Sequence, residues 1–161
     1  MKYMKIFFGK SIVVGCLSIL FSDICAMKVS EMIHPTQTAN DLYVFAKKLK
    51  FGEGVTKDLA GAAHYFKLSA DQGHAQAQYN YGVMLYHGYG IEQNLYAAAH
   101  YYYIAANQGF APAQYNFAVV LANGEGVAHD LSAAKHYFQL SANQGFADAK
   151  EALKTLEQDN Q

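Results

Sequence analysis

The sequence contains no arginine and no tryptophan, and its formal net charge is only −1. Arginine is the side chain that proteins favour for paired hydrogen bonds to phosphate groups and base edges, so its absence argues against nucleic-acid recognition. The lysines also form no dense block that could release counterions from a nucleic-acid backbone. We therefore predict that the chain has no nucleic-acid partner.

A long hydrophobic run is also missing, although the N-terminal segment contains a short one. Three lysines precede an apolar run over residues 11–21, which is too short to cross a bilayer because a spanning helix needs about 20 apolar residues. With a small residue at Ala26, this pattern predicts a secretory signal peptide over residues 1–26. The alternatives are an uncleaved membrane anchor and a lipoprotein signal at VVGC, residues 13–16.

Cysteine is scarce, and both cysteines, Cys16 and Cys25, lie inside the predicted signal peptide. The mature chain would then have neither a disulfide nor a reactive thiol, although an oxidising compartment would permit disulfides. We predict an exported protein, periplasmic or secreted, with no stable membrane insertion after cleavage of the signal.

The chain contains a ten-residue segment that recurs in three similar copies. The segments DQGHAQAQYN, NQGFAPAQYN and NQGFADAKEA begin at residues 71, 107 and 143, which are 36 residues apart. Glycines recur in the same register, and each period contains two segments of helical length. The second segment begins after Asp58, Asn94 or Asp130, whose side chains can cap free N–H groups. Two helices per period predict a stacked array, because one helix pair cannot bury its apolar face alone.

We therefore predict an all-α fold, an α/α-solenoid of about three 36-residue helix-hairpin repeats followed by a C-terminal capping helix. The first helix of the second repeat should bury one stripe at helical spacing, formed by Ala75, Gln78, Tyr81, Gly82 and Leu85. The predicted divisions of the mature chain are a loose leader over residues 27–38, repeats over residues 39–74, 75–110 and 111–146, and a capping helix over residues 147–157.

The run YGVMLYHGYGIEQNLYAAAHYYYIAANQGFAPAQ, residues 81–114, closely resembles the Sel-one-like repeat, a relative of the tetratricopeptide repeat. The resemblance extends over about residues 39–157 and keeps its spacing in three copies. Two positions depart from the family pattern, because a central tyrosine is leucine here, as at Leu85, and a tryptophan is tyrosine, as at Tyr101. Both changes keep bulk at packed positions. The resemblance implies an adaptor that binds other proteins in assemblies, signalling or host interaction.

By resemblance to the tetratricopeptide arrangement, the first helices would line a concave face suited to a peptide or a partner helix. Tyr86 is the strongest candidate on that face, because its counterparts Lys50 and Ala122 show that packing does not require an aromatic residue there. For Tyr79 and Tyr115, which recur, packing explains the repetition equally well. The predicted partner-binding residues are Lys47 and Lys50 in the first repeat, Tyr79, Val83, Tyr86 and His87 in the second, and Tyr115, Val119 and Asn123 in the third.

Two patterns would indicate catalytic or metal chemistry. Ser132 and Lys135 form S-x-x-K, the nucleophile motif of penicillin-recognising enzymes, but the companion motifs S-D-N and K-T-G are absent. His64, His100 and His136 share one repeat position. Packed helices lie about 8–10 Å apart, whereas ligand nitrogens must lie about 2.0–2.1 Å from a zinc ion, so these histidines cannot share one metal. We predict no enzyme activity, no cofactor and no metal site.

The favoured hypothesis is a non-enzymatic exported scaffold that binds a protein or a peptide through its concave surface, in envelope assembly or host interaction. The alternative is a periplasmic protein that binds or hydrolyses cell-wall peptide or a β-lactam. A third hypothesis is an accessory protein that needs a partner for stability, because about three repeats is near the minimum for a solenoid.

Overall fold

The computed structural model describes residues 38–158, and within this range the chain forms seven α-helices and no strand. The described residues all lie in one compact unit. The predicted signal peptide lies outside the described residues, as does the predicted leader except for Thr38. The helices are α1 (Ala39–Phe51), α2 (Leu59–Asp71), α3 (Ala75–His87), α4 (Leu95–Asn107), α5 (Ala111–Asn123), α6 (Leu131–Asn143) and α7 (Ala147–Gln158).

Polar caps and glycines set the helix boundaries at the positions that the repeat pattern predicts. The Asn94 side chain accepts a hydrogen bond of 2.9 Å from the backbone N–H of Ala97, and Asp58 and Asp130 make equivalent bonds at the starts of α2 and α6. Each of the three first helices ends at a glycine in the left-handed conformation, such as Gly88 with φ of 72°. Glycine adopts this conformation without the steric cost that a Cβ atom would impose.

Thr38 is the N-cap of α1, although the sequence pattern places it in the leader. Its side chain accepts a hydrogen bond from the backbone N–H of Asp41 at 3.2 Å, and its own backbone N–H donates to the Asp41 carboxylate at 3.2 Å. This reciprocal pair forms a capping box. The ordered array therefore begins with the cap at residue 38.

Each helix packs against the next one along the chain, so that three helix hairpins stack and α7 covers the last of them. Alanines lie at the closest crossings, because a small side chain lets two helices approach; Ala62, Ala98 and Ala134 have no exposed surface. One aromatic ring from each second helix fills the space between hairpins, and these rings belong to Phe66, Tyr102 and Phe138. This all-α solenoid confirms the predicted fold class.

Helix α3 is buried on more than the single stripe that was predicted. Ala77 and Met84 have no exposed surface although neither belongs to that stripe, whereas Ala75 and Tyr81 are only half-buried. The other three stripe residues are buried as expected. The difference arises because α3 packs against both α2 and α4.

Buried glutamines join consecutive repeats. The Gln78 side chain on α3 donates to the carbonyl oxygen of Ala70 near the end of α2 at 3.2 Å and accepts from Gln108 Nε2, just after α4, at 2.6 Å. Gln114 makes the same two bonds one repeat later. Each glutamine thereby connects the helix ends of two neighbouring repeats, and the bonds satisfy polar atoms that are removed from water.

Candidate functional site

The predicted partner-binding residues lie on α1, α3 and α5, the first helices of the three repeats, and we call the surface that these nine residues form the first-helix groove. Six of them are half-buried and three are exposed to solvent. The half-buried residues are Lys50, Tyr79, Val83, Tyr86, Tyr115 and Val119, and the exposed residues are Lys47, His87 and Asn123.

Tyr79 packs as part of the solenoid. The centroid of its ring lies 5.4 Å from that of Phe110, which precedes α5, and 6.1 Å from that of Tyr102 on α4. Tyr115 repeats this arrangement with Phe146 and Phe138 at 5.4 and 5.6 Å. Such aromatic pairs contribute more stabilising free energy than the burial of their surface area alone would give. Tyr79 and Tyr115 therefore have structural roles whatever the groove binds.

A cavity of about 170 Å³ lies between α3 and α5. It brings together four of the predicted groove residues, namely Tyr86, His87, Tyr115 and Val119. The other predicted residues do not line it. Its remaining walls come from three residues outside the predicted set, which are Tyr102, Asn116 and Val120.

Asn116 connects the cavity to the aromatic packing beneath it. Its side chain lies beside the hydroxyl groups of both Tyr79 and Tyr102. Burial raises the pKa of the Tyr102 hydroxyl far above its usual range, and the neighbouring Asn116 side chain opposes this only in part. Tyr102 is therefore a neutral phenol at any physiological pH. Asn80 and Asn116 share one repeat position, and each follows a Gln-Tyr pair. This repetition is the sequence signal that could have identified Asn116.

Tyr86 reaches from α3 to the loop that follows α5. Its hydroxyl donates to Glu125 Oε2 at 2.5 Å, and Asn123 Nδ2 donates to Glu125 Oε1 at 3.1 Å. The bond to Glu125, with a smaller contribution from burial, raises the pKa of the Tyr86 hydroxyl, so this group remains a donor. The Glu125 carboxylate is thus held beside the cavity by two groove residues that lie on different repeats.

The first repeat carries the positive end of the groove. Lys50 Nζ donates to Asn80 Oδ1 at 3.2 Å and lies 6.0 Å from the ring centroid of Phe66. Lys47 Nζ lies 5.6 Å from the ring centroid of Tyr43. Burial lowers the pKa of Lys50, because its stem is covered by neighbouring side chains. The cation and the aromatic ring attract each other through the negative potential of the ring face.

The residues considered for catalysis and metal binding are exposed on the second helices. Ser132 and Lys135 are both exposed on α6. His64, His100 and His136 are also exposed, and each ring contacts the tyrosine that follows it at 5.3 to 5.9 Å. Among residues 38–158, no three His, Cys, Asp or Glu side chains converge in a way that could hold a metal ion. No helix in the same range is long and apolar enough to cross a membrane.

A second cavity, of about 180 Å³, lies outside the first-helix groove. It is formed mainly by α4, whose Tyr96 is 73% exposed, together with one side chain of α5 and one from the loop after it. The residues that line it are Tyr96, Ala99, His100, Tyr103, Phe117 and Val127. None of these residues belongs to the predicted groove.

Comparison with solved structures identifies relatives that share this fold. A protective antigen of uropathogenic Escherichia coli with an SLR fold aligns with a TM-score of 0.65 and 32% identity over 66% of this chain. The chain spans only 23% of the length of that antigen. A Sel1 repeat protein from Oxalobacter formigenes aligns with a TM-score of 0.68 and 27% identity, over 73% of this chain and 88% of that protein.

Cysteine rich protein B of Helicobacter pylori aligns with a TM-score of 0.58 over 74% of this chain and all of that one, and at 17% identity this likeness shows the fold alone. No curated protein matches the chain. Among protein families, the Sel1 repeat matches residues 49–74, 75–110 and 111–146. Sel1 repeats generally form non-catalytic scaffolds for protein–protein interaction. Because these matches cover more than half of the sequence, the chain belongs to the Sel1 repeat family.

Proposed function

We propose that the chain is an exported, non-enzymatic scaffold that binds a protein or an extended peptide in the first-helix groove. The observation that carries this proposal is the cavity between α3 and α5, which Tyr86, His87, Tyr115 and Val119 share. A cavity with aromatic walls can receive a protruding side chain of a partner, and interfaces are enriched in such anchoring contacts. The general role of Sel1 repeats as interaction scaffolds supports the same conclusion.

Tyr86 is the residue that we expect to contribute most to binding. It is half-buried, so its ring is held in place, yet it lines the cavity and can contact an occupant. Tyrosine supplies a large contact area while losing little conformational entropy on binding. Its counterparts in the other repeats are Lys50 and Ala122, so the solenoid does not need an aromatic ring at this position.

Affinity capture with variants of the full chain tests this proposal. Tyr86→Ala should reduce the yield of captured partner at least tenfold, as expected when a central anchor worth about 1.4 kcal/mol or more is removed. Tyr96→Ala is the matched control, because Tyr96 is more exposed than Tyr86 and lies outside the groove. Circular dichroism should give the same helical spectrum for both variants. Equal capture by wild type and Tyr86→Ala would refute the assignment of the groove.

Export is the second part of the proposal, and it is supported by the basic and apolar pattern of residues 1–26. The E. coli relative is described as a protective antigen, which supports a role in the cell envelope or at the host interface. Fractionation of producing cells should recover the chain in the periplasm or the medium. Mass spectrometry of that material should find an N-terminus at Met27. A cytoplasmic chain that retains Met1 would contradict export.

A further inference from the structure

The surroundings of the cavity are short of positive charge. The chain has no arginine, and no lysine occurs between Lys67 and Lys135. Glu125 is half-buried and is held by Tyr86 and Asn123, and it forms no ion pair with any residue of the range 38–158. A carboxylate fixed in this way attracts a cation more strongly than a freely solvated one, because neighbouring protein atoms replace part of the water around it.

The junction between the first and second repeats contains an occupied version of the same site. Lys50, Phe66 and Asn80 occupy the repeat positions that Tyr86, Tyr102 and Asn116 occupy 36 residues later. There the Lys50 ammonium donates to the Asn80 side-chain oxygen at 3.2 Å, and it lies 6.0 Å from the ring centroid of Phe66 and 5.3 Å from that of Phe51. The solenoid thus holds a lysine head group between a first-helix asparagine and a second-helix ring.

At the next junction, between the second and third repeats, Tyr86 replaces the lysine, while the asparagine and the aromatic ring remain. Tyr86 turns its hydroxyl toward Glu125, and the cavity lies beside Tyr102 and Asn116. The loop residue also changes, because Glu125 occupies the position that Tyr89 holds one repeat earlier. The loop position that bears the same relation to Lys50 is Tyr89, so a carboxylate is present for Tyr86 but not for Lys50. Glu53 holds this repeat position in the first repeat.

We propose that this cavity binds the ammonium group of a lysine side chain that the partner protein supplies. The ammonium would lie against the rings of Tyr86 and Tyr102, near the Asn116 side chain, with the Glu125 carboxylate as its counter-ion. Aromatic faces and a carboxylate together are the chemistry that recognises an alkylammonium group. This inference rests on the proposed function, since it names the partner side chain that the groove receives.

A pair of small probes tests this proposal without knowledge of the partner. Nα-acetyl-lysine methylamide carries the ammonium group, and Nα-acetyl-norleucine methylamide has nearly the same shape without it. In NMR titrations of the whole chain, the lysine probe should shift the Asn116 side-chain amide and the tyrosine rings of the cavity. We expect the norleucine probe to bind at least about tenfold more weakly. Equal shifts with both probes, or shifts confined to other surfaces, would overturn the proposal.

Two sets of variants separate the ammonium site from a general effect on structure. Glu125→Gln keeps the shape of the side chain and should weaken the lysine probe about tenfold, while leaving the norleucine probe unchanged. Tyr86→Lys recreates the first-repeat arrangement, so its own ammonium should fill the site and abolish lysine-probe binding. Tyr86→Met, which is also unbranched but neutral, should retain part of that binding. Identical probe affinities for the Lys and Met variants would contradict the proposal.

The two proposals fail in different ways. If Tyr86→Ala reduces partner capture but the lysine probe does not bind, the groove remains the interaction surface and the ammonium site is wrong. If the lysine probe binds but partner capture is the same for Tyr86→Ala as for wild type, the proposed function fails, and with it the assignment of the lysine to a partner.

Discussion

Gly82 on α3 packs directly against the ring of Tyr102 on α4, so that a Cβ atom at position 82 would lie 2.8 Å from Tyr102 Cε1. In the other two repeats, alanine takes the place of Gly82 and phenylalanine takes the place of Tyr102. These pairs are Ala46 with Phe66, and Ala118 with Phe138. The second repeat therefore accommodates a buried tyrosine by giving up a methyl group on the neighbouring helix.

The first prediction follows from this pairing. Gly82→Ala should destabilise the chain by about 1–3 kcal/mol through overpacking, even though alanine favours a helix by about 1 kcal/mol over glycine. The Tyr102 ring cannot move freely, because it is buried and its hydroxyl lies against the Asn116 side chain. Adding Tyr102→Phe releases the ring and restores the pairing of the other repeats. A double-mutant cycle in urea should show a favourable coupling between the two changes; additive effects would contradict this explanation.

The second prediction concerns the buried glutamines. Gln78→Leu should lower the free energy of unfolding by about 1–3 kcal/mol, because the carbonyl of Ala70 and the amide of Gln108 each lose a partner. Leucine fits this position sterically, since Leu42 is its buried counterpart in the first repeat. Gln76→Leu, at an exposed site of the same helix, is the control and should change stability by less than about 0.5 kcal/mol. Equal effects of the two changes would show that the bonds between repeats contribute nothing.

The third prediction compares two glycines that share one backbone conformation. Gly54 and Gly90 have φ of 73° and 72°, so an alanine at either position pays about 1–2 kcal/mol for the left-handed region. A Cβ atom at Gly54 meets nothing within 4 Å, whereas one at Gly90 would overlap the backbone of Leu59 at the start of α2. Gly90→Ala should therefore lower the urea midpoint clearly more than Gly54→Ala. Equal urea midpoints for the two variants would mean that the loop containing Gly90 does not pack tightly on the preceding repeat.

The fourth prediction is a pH dependence that arises at the N-cap of α3. His74 Nδ1 accepts a hydrogen bond of 3.2 Å from the backbone N–H of Ala77, and its ring stacks on Tyr43 at 4.6 Å. Burial lowers the pKa of His74 below its ordinary value of about 6.5. The unfolded chain therefore binds the proton more readily than the folded chain. The stability that the neutral His74 side chain contributes is fully present above about pH 6.5. It is lost as the pH falls through the lower pKa that His74 has in the folded chain.

His74→Asn tests this dependence, because asparagine caps a helix without titrating in this range. Urea midpoints measured between about pH 5 and pH 7.5 should fall more steeply with acid for wild type than for the variant, and the two should agree best at the upper end. The remaining histidines are common to both proteins and cancel in the comparison. Parallel pH profiles would show that protonation of His74 does not affect folding.

The residues Tyr102, Asn116 and Glu125 show why the site was only partly predictable. Tyr102 shares its repeat position with Phe66 and Phe138, so its sequence pattern indicates a core ring, and only the packed structure places one side of that ring on a cavity. Glu125 is a loop residue between two glycines, and nothing in the local sequence connects it with Tyr86, which lies 39 residues away. The partner-binding role of the groove residues stays a prediction.

The period, the helix boundaries and the stacked all-α architecture of this protein follow directly from its amino-acid sequence. These properties depend on local chemistry, because capping side chains such as Asn94, left-handed glycines such as Gly88 and the spacing of small residues act within a few residues of where they stand. Only the packing of the folded chain shows that the Lys50 ammonium is held at the junction of the first and second repeats. The equivalent region of the next junction is a cavity lined by Tyr86, whose hydroxyl donates to Glu125. That outcome depends on how side chains from three helices and a loop meet across the stack, which is a matter of packing and charge between segments that are distant in sequence.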